Sequence, residues 1–160
     1  MRFAQIGVGR IGLLHAGVLA QHPLVEQLLI ADIDRARVSE VAGSIGATVV
    51  ETDQAIVSAE ALVIAAPTGA HAELIRRGVA RGIPVFCEKP LALDLGETIR
   101  LVHEIEASGI AFQLGFQRRF DPAYQELRQL VASGEIGRWP AGGRPPVRPP
   151  SRPGGPGSRR

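Results

Sequence analysis

The segment RFAQIGVGRIG, residues 2–12, decides the fold of this 160-residue chain. A short apolar run leads directly into three glycines that are spaced as G-x-G-x-x-G. In this pattern the first glycine permits a tight turn, the second lets a diphosphate approach the backbone, and the third lets a helix pack closely against the strand. The N-terminus of such a helix presents free N–H groups and partial positive charge. The segment therefore predicts a phosphate-binding turn built from Gly7, Gly9, Arg10, Ile11 and Gly12.

A carboxylate stands at the distance that a dinucleotide-binding turn requires. Asp32 lies 20 residues after Gly12, at the end of a second apolar run. An acidic residue in this place hydrogen-bonds the adenosine ribose and repels a 2′-phosphate, so the pattern favours NAD over NADP. Arg35 and Arg37 lie nearby and moderate that preference. The alternative is a glycine-rich loop followed by an unrelated aspartate at the end of a strand.

Strand-like and helix-like segments alternate along the chain. Apolar runs predict strands, and periodic segments predict helices. Asp34 is the predicted N-cap of one helix, and the last helix has Asp121 as N-cap and Pro122 at the first helical position. This alternation implies parallel βαβ units with right-handed crossovers, so the predicted class is α/β, a Rossmann-type doubly wound parallel sheet. Strands are predicted at residues 2–7, 25–32, 47–50, 61–67, 83–89 and 110–116, and helices at 11–21, 34–46, 69–82, 95–109 and 121–137.

A lysine follows one of the buried strands, in the segment VFCEKPLAL, residues 85–93. Ligands of open α/β sheets bind at the carboxyl ends of the strands, which is where Glu88, Lys89 and Pro90 lie. A partly desolvated amine beside the cationic nicotinamide ring loses its proton more readily. Such an amine can accept the proton of a secondary alcohol while hydride leaves the carbon. The alternative is a solvated lysine in a surface loop; Cys87 is interpreted as a buried strand residue without a role.

Composition and charge narrow the class of protein. Apolar residues make up 45% of the chain, and no apolar run approaches the roughly 18 residues of a membrane span. The single cysteine excludes an intrachain disulfide and a multi-cysteine metal site, so we expect a cytoplasmic protein without a metal. All 16 acidic residues and 12 of the 18 basic ones lie in residues 1–137. This mildly acidic body gives no electrostatic footprint for nucleic acid.

Four segments, in this order and spacing, resemble the Gfo/Idh/MocA oxidoreductases: IGVGRIGLLHA, AAPTGAHAEL, CEKPLAL and QLGFQRRFDPAY. The last segment particularly resembles the myo-inositol 2-dehydrogenases within that family. The resemblance covers about residues 1–137 and implies an NAD(P)-dependent dehydrogenase that acts on a hydroxyl of a sugar or cyclitol. It also implies a homo-oligomer.

The resemblance further implies roles for individual residues. Lys89 would act in catalysis and substrate binding, with Glu88 and Pro90 shaping its loop. His71 at a helix start would otherwise be expected to face water, Arg118 with Arg119 to be a solvated pair, and His15 to be a packing or surface residue. On the nicotinamide-ribose side the resemblance places Ala66, Pro67, Thr68 and His71, and near the cofactor and the edge of the active site it places Gln117 and Arg118.

The chain departs from the family after Gly137. Family members continue into a second α/β domain, which carries an aspartate and a histidine of the active site. Of the 23 residues at 138–160, 18 are Gly, Pro or Arg, and none is histidine or an acid. We therefore predict a dinucleotide-binding domain at 1–120, a connecting helix at 121–137 toward an absent domain, and a disordered tail at 138–160.

Two hypotheses explain the tail. An abrupt change to Pro, Arg and Gly in a chain rich in Ala, Arg, Gly and Leu is typical of GC-rich DNA translated in a shifted frame. The alternative is an arginine-rich arm that contacts nucleic acid or other anions. Under the first hypothesis we expect a truncated half of a dehydrogenase that binds NAD and has little activity. A third possibility is a non-catalytic NAD-binding module, such as one half of a complementing pair.

Overall fold

The computed structural model describes residues 1–137, which belong to two compact units. The first unit is Met1–Gly115, and the second begins at Phe116, slightly before the predicted end of the domain at residue 120. The predicted disordered tail at 138–160 lies outside the described residues. Within residues 1–137, no helix has the length and apolar character needed to cross a membrane.

The first unit is organised around a six-stranded parallel sheet in the order β3-β2-β1-β4-β5-β6. β1 is central, and the strand order reverses there, because β2 pairs with one of its edges and β4 with the other. This order is that of the Rossmann fold, which confirms the predicted class. The strands are β1 Arg2–Ile6, β2 Gln27–Ala31, β3 Thr48–Val49, β4 Ala61–Ile64, β5 Val85–Glu88 and β6 Phe112–Gly115.

Helices cover both faces of the sheet. Successive residues of a strand point to opposite faces, and in β2 they belong alternately to two separate apolar clusters. One cluster includes buried residues of α1 and α2, and the other includes buried residues of α3, α4 and α5. The helices are α1 Arg10–Ala20, α2 Arg35–Ile45, α3 Thr52–Ser58, α4 His71–Ala80, α5 Leu95–Ser108 and, in the second unit, α6 Pro122–Ser133.

Most predicted elements are present, and their ends follow local signals. Asp34 caps α2 by accepting a hydrogen bond from the Arg37 N–H at 3.0 Å, and Asp121 caps α6 in the predicted manner. α3 was not predicted, because its seven residues contain too little periodic pattern. Burial of Ala55 and Ile56 against the sheet forms this helix instead.

Arg76 links α4 to α5 through two carboxylates. Its guanidinium contacts Glu104 at 2.8 Å and Glu97 at 2.7 Å, and Glu97 also accepts from Arg100 on its own helix. The hydrogen bonds from Arg76 lower the pKa of both Glu97 and Glu104, and they raise the pKa of the guanidinium. A carboxylate with a lowered pKa stabilises the fold above its ordinary pKa and loses that contribution as the pH falls.

We predict that Arg76→Met destabilises the protein in a pH-dependent manner. The difference in melting temperature from the wild type should be largest above pH ~4.5, the ordinary range of a glutamate pKa. It should shrink as the pH falls and both carboxylates become protonated in either protein. Thermal unfolding between pH 2.5 and 7 measures this, with Arg128→Met as the control, because Arg128 makes no ion pair within residues 1–137. If the difference in melting temperature between Arg76→Met and the wild type is the same at every pH, the contacts with Glu97 and Glu104 are not its cause.

Candidate functional site

The glycine-rich turn lies at the carboxyl end of β1 and is closed by backbone contacts. Gly7 has φ +95°, and a Cβ there would lie 2.5 Å from the carbonyl oxygen of Ala65. A Cβ at Gly12 would lie well under 3.0 Å from the Gly7 carbonyl oxygen. Gly9 differs from both, because a Cβ there would meet nothing within 4 Å. The first and third glycines are therefore required by close packing, and the second faces open space.

The buried side chain of Gln5 stabilises this turn by hydrogen bonds, a role that sequence reasoning missed. Its side chain is fully buried, and its Nε2 donates to the carbonyl of Gly7 at 2.9 Å and to that of Gly12 at 2.7 Å. Its Oε1 has no hydrogen-bond partner among residues 1–137. The available signal was a glutamine within an apolar strand, two residues before the first glycine of the motif.

Helix α1 begins at Arg10 directly after the turn. No side chain within the described residues caps it, and its first turn contains no acidic residue. The first N–H groups of a helix have no partner inside the helix, so those around Arg10 and Ile11 are available to an anion. Both of these side chains are exposed. Of the residues predicted for the phosphate-binding turn, Gly9, Arg10 and Ile11 are thus accessible, whereas Gly7 and Gly12 are buried.

Asp32 follows β2 and is hydrogen-bonded to the same turn. Its Oδ2 accepts from the Val8 N–H at 2.7 Å, and its Oδ1 accepts from the Asp34 N–H at 2.9 Å. A carboxylate oxygen has two acceptor sites, so each oxygen keeps one for a further donor. The two nearby arginines are both paired with carboxylates: Arg35 with Glu51 at 2.7 Å and Arg37 with Asp34 at 3.0 Å.

Strand register brings the other predicted residues of the first unit to the same edge. Ile6 of β1 is level with Ala31 and with Ile64, which in turn is level with Cys87. The segments that follow these strands contain the glycine-rich turn, Asp32, the segment Ala66–Thr68 and Lys89. Ala66 and Thr68 are half-buried, and Pro67 is exposed. The carboxyl edge therefore carries the predicted residues of four neighbouring strands.

His71, at the start of α4, is buried rather than exposed to water. Only 1% of its surface is accessible. Its Nε2 lies 2.8 Å from the carbonyl oxygen of Ala66, and its Nδ1 lies 2.7 Å from that of Pro90. Carbonyl oxygens only accept, so a neutral imidazole can donate to one of them, whereas an imidazolium donates to both. The ring bridges the loop after β4 and the loop after β5.

Lys89 lies just beyond β5 with an exposed side chain, and its peptide bond to Pro90 is cis. The partial desolvation expected from the sequence is therefore not provided by residues 1–137. Glu88 before it accepts a hydrogen bond from His15 Nε2, with the two atoms 2.7 Å apart. His15 also packs its ring edge against Phe86. His15 is thus a contact of the Lys89 loop as well as a packing residue.

Lys89 is also the only lysine of the whole sequence, since every other Lys or Arg position holds arginine. That Lys89 is the only lysine could have been read from the sequence, but sequence reasoning missed it.

Cys87 is fully buried, and this burial, with a smaller contribution from the Glu88 charge, raises the pKa of its thiol to about 12. A thiol with such a pKa is not a nucleophile at neutral pH. No cluster of three or more His, Cys, Asp or Glu side chains suited to a metal occurs in residues 1–137.

Gln117 and Arg118 belong to the second unit. They lie on the short 3₁₀ helix Gln117–Phe120, and both are exposed. Arg118 donates to Asp121 at 2.9 Å, and its guanidinium lies 4.9 Å from the centre of the Tyr124 ring. Arg118 is therefore paired rather than simply solvated. Its place near a cofactor stays a prediction, as does that of Gln117.

Comparisons with known proteins agree with this geometry. The family model described as "Oxidoreductase family, NAD-binding Rossmann fold", GFO_IDH_MocA, matches residues 1–116. Inositol 2-dehydrogenase from Rhizobium meliloti (strain 1021) is 33% identical over 139 residues, and the match covers 86% of this chain and 42% of the relative. scyllo-Inositol 2-dehydrogenase (NAD(+)) from Bacillus subtilis (strain 168) is 32% identical over 143 residues, with the same coverage.

A solved structure gives the same result. The crystal structure of scyllo-inositol dehydrogenase from Lactobacillus casei with bound cofactor NAD(H) and scyllo-inositol superimposes with a TM-score of 0.77 at 30% identity. The match covers 86% of this chain and 42% of that one. The chain thus spans about two fifths of the length of the relatives that it matches. Since the family model covers most of the chain, the protein belongs to the Gfo/Idh/MocA oxidoreductase family.

Proposed function

We propose that residues 1–137 form the cofactor-binding part of an NAD-dependent dehydrogenase that oxidises a secondary hydroxyl of an inositol or sugar. The observation that carries this proposal is the place of Lys89. The only lysine of the chain follows the strand next to β4, on the sheet edge that also carries the glycine-rich turn and Asp32. A dinucleotide along this edge would bring its reactive end toward that amine.

The residues present fit NAD. The open space at Gly9 and the uncapped N-terminus of α1 suit the diphosphate. The acceptor sites left on Asp32 suit the ribose hydroxyls of the adenosine, and its charge disfavours a 2′-phosphate. Because Arg35 and Arg37 are held by carboxylates, we propose NAD rather than NADP. The segment Ala66–Thr68 would lie along the nicotinamide-ribose side.

The chemical step proposed for this chain is the removal of the proton from the substrate hydroxyl. NAD, when bound, supplies the acceptor for hydride. Lys89 would accept the proton of the substrate hydroxyl, which requires an amine that can exist in the neutral form. Arginine cannot deprotonate in proteins, so a lysine at this one position among arginines suits the role. Glu88, directly before Lys89, is bonded to His15, and His71 contacts the carbonyl of Pro90, directly after it. Both residues would act by holding the loop that carries Lys89.

The substrate class rests on the relatives. Two of them carry names of inositol dehydrogenases, and the similar crystal structure contains scyllo-inositol. Most of the length of each relative lies outside the match, so the activity, substrate and homo-oligomeric state of a whole protein are proposals here. A second candidate is a non-catalytic NAD-binding module, which the exposure of the Lys89 side chain favours.

We predict that Gly9→Ala and Gly12→Ala have different effects. The Gly9 methyl would enter open space, so stability should stay within about 0.5 kcal/mol while NADH affinity falls at least about tenfold. The Gly12 methyl would collide with the Gly7 carbonyl, which should lower stability by about 1–3 kcal/mol. Denaturant unfolding and NADH fluorescence titration measure the two effects.

Gly17→Ala is the matched control for both substitutions. Gly17 lies on the same helix with open space at its Cβ position, so alanine should raise stability by about 0.5–1 kcal/mol. Its NADH affinity should equal that of the wild type. If Gly9→Ala leaves the NADH affinity unchanged, the proposal that the diphosphate binds at this turn is contradicted.

We predict that Asp32→Ser weakens NADH binding about 10- to 100-fold, the range expected for losing hydrogen bonds to a charged acceptor. It should weaken NADPH binding less, because the repulsion of the 2′-phosphate is also lost. Asp94→Ser is the control, since it removes the same charge outside the glycine-rich turn and serine still caps α5. The proposal of NAD over NADP fails if the ratio of the NADH and NADPH affinities is the same in all three proteins.

We expect the 160-residue chain to bind NAD⁺ and to oxidise myo-inositol or scyllo-inositol slowly or not at all. Within residues 1–137 Lys89 is open to water, whereas hydride transfer is favoured by a closed site. Absorbance at 340 nm in the presence of NAD⁺ measures turnover, with Lys89→Met as the blank. Rapid oxidation that Lys89→Met abolishes would show that these residues suffice. Absence of NAD⁺ binding would overturn both candidate functions.

A further inference from the structure

We propose that His15 and His71 are positioning residues for Lys89, each of which holds the residue on one side of it. The inference rests on the proposed function only in treating Lys89 as the reactive amine. Glu88 is bonded to His15 from α1, and the carbonyl of Pro90 is bonded to His71 from α4. The two histidines come from different helices and reach the same three-residue segment, residues 88–90, where β5 ends and the loop begins.

The contact on the Glu88 side is closely enclosed. The Glu88 side chain is 18% exposed, and its Oε1 lies 2.7 Å from His15 Nε2. A Cβ at Gly115 of β6 would lie 3.0 Å from the same carboxylate, which would then have to shift by a few tenths of an ångström. The His15 ring is itself held edge-on against Phe86, with the ring centres 5.1 Å apart. The carboxylate therefore has little freedom to turn away from His15.

The contact on the Pro90 side is more deeply buried. His71 is 1% exposed and spans two carbonyls, those of Ala66 and Pro90. Proline has no N–H, so the carbonyl is the only backbone group through which residue 90 can be held by a hydrogen bond. The ring fixes this carbonyl relative to the loop that follows β4.

Together these contacts leave the Lys89 side chain exposed between two fixed neighbours. A reacting group is effective when its supports restrict it to the productive geometry. The supports of Lys89 also lead to the two segments proposed to line the cofactor. His15 lies on the helix that begins at the glycine-rich turn, and His71 is bonded to Ala66. We infer that the histidines keep the amine in register with the bound dinucleotide.

Substitutions that retain one ring nitrogen test this inference in the 160-residue chain. The amide nitrogen of asparagine can occupy the place of Nδ1, and that of glutamine the place of Nε2. His71→Asn should keep the contact with Pro90, and His71→Gln should lose it. His15→Gln should keep the contact with Glu88, and His15→Leu should lose it. Hydrogen exchange of the peptide that contains Lys89 and Leu91–Leu93 is the readout.

We expect this peptide to exchange about 3- to 10-fold faster in His71→Gln and His15→Leu, as for the loss of one hydrogen bond. His71→Asn and His15→Gln should exchange at a rate near that of the wild type. Because Lys89 is the only lysine, its acetylation rate, measured on the same peptide, reports the side chain directly. His103→Gln is the control, since His103 is exposed on α5.

The rescue by the matched variants separates positioning from a general structural role. Equal exchange in the two members of each pair, or equal acceleration in His103→Gln, would overturn the inference. If the His71 variants do not fold, the His15 pair decides the matter. NADH titration of the same proteins is scored separately. If the wild type does not bind NADH, the proposed function is overturned. The hydrogen-exchange comparison of the histidine variants would still be valid.

Discussion

Close backbone contact at the end of β1 is the constraint on which the rest of the site depends. Gly7 lies against the backbone of Ala65 and Gly12 lies against the carbonyl of Gly7, with no room for a side chain in either place. Gln5 then joins the two glycine carbonyls from below. Because the turn is held in this way, the Val8 N–H reaches Asp32 and fixes the carboxylate at the end of β2. One set of contacts thus sets the relative positions of α1, β2 and β4.

The features that sequence reasoning predicted are those with local signals. Alternating strands and helices, the caps at Asp34 and Asp121, and the spacing from Gly12 to Asp32 all depend on neighbours along the chain. The structure bears out the fold class and these caps. α3 was missed because its two buried residues acquire their partners only when the sheet has formed. Its helical state comes from packing rather than from sequence pattern.

The contacts around Lys89 could not be predicted because they join residues that are distant in sequence. His15 and Glu88 are separated by 73 positions, and the partners of His71 are backbone carbonyls, which no residue pattern identifies. A histidine at a helix start gives no sign that it is 1% exposed. Gln5 was missed for the same reason, since both of its acceptors are main-chain atoms. Motifs mark the residues of such a site but not the side chains that hold them.

The basic side chains of residues 1–137 differ in the contacts that they make. Arg76, Arg35 and Arg77 each contact carboxylates on other helices or loops, where a permanently charged planar group suits bidentate or bridging contacts. Lys89 makes no ion pair within residues 1–137, and its immediate neighbours in the chain are held by hydrogen bonds. Six of the eleven arginines within residues 1–137 pair with a carboxylate side chain, whereas the one lysine does not. The position of Lys89 at the ligand-binding edge of the sheet, between two residues held by hydrogen bonds, is therefore what supports the proposal that it exchanges a proton with a bound molecule.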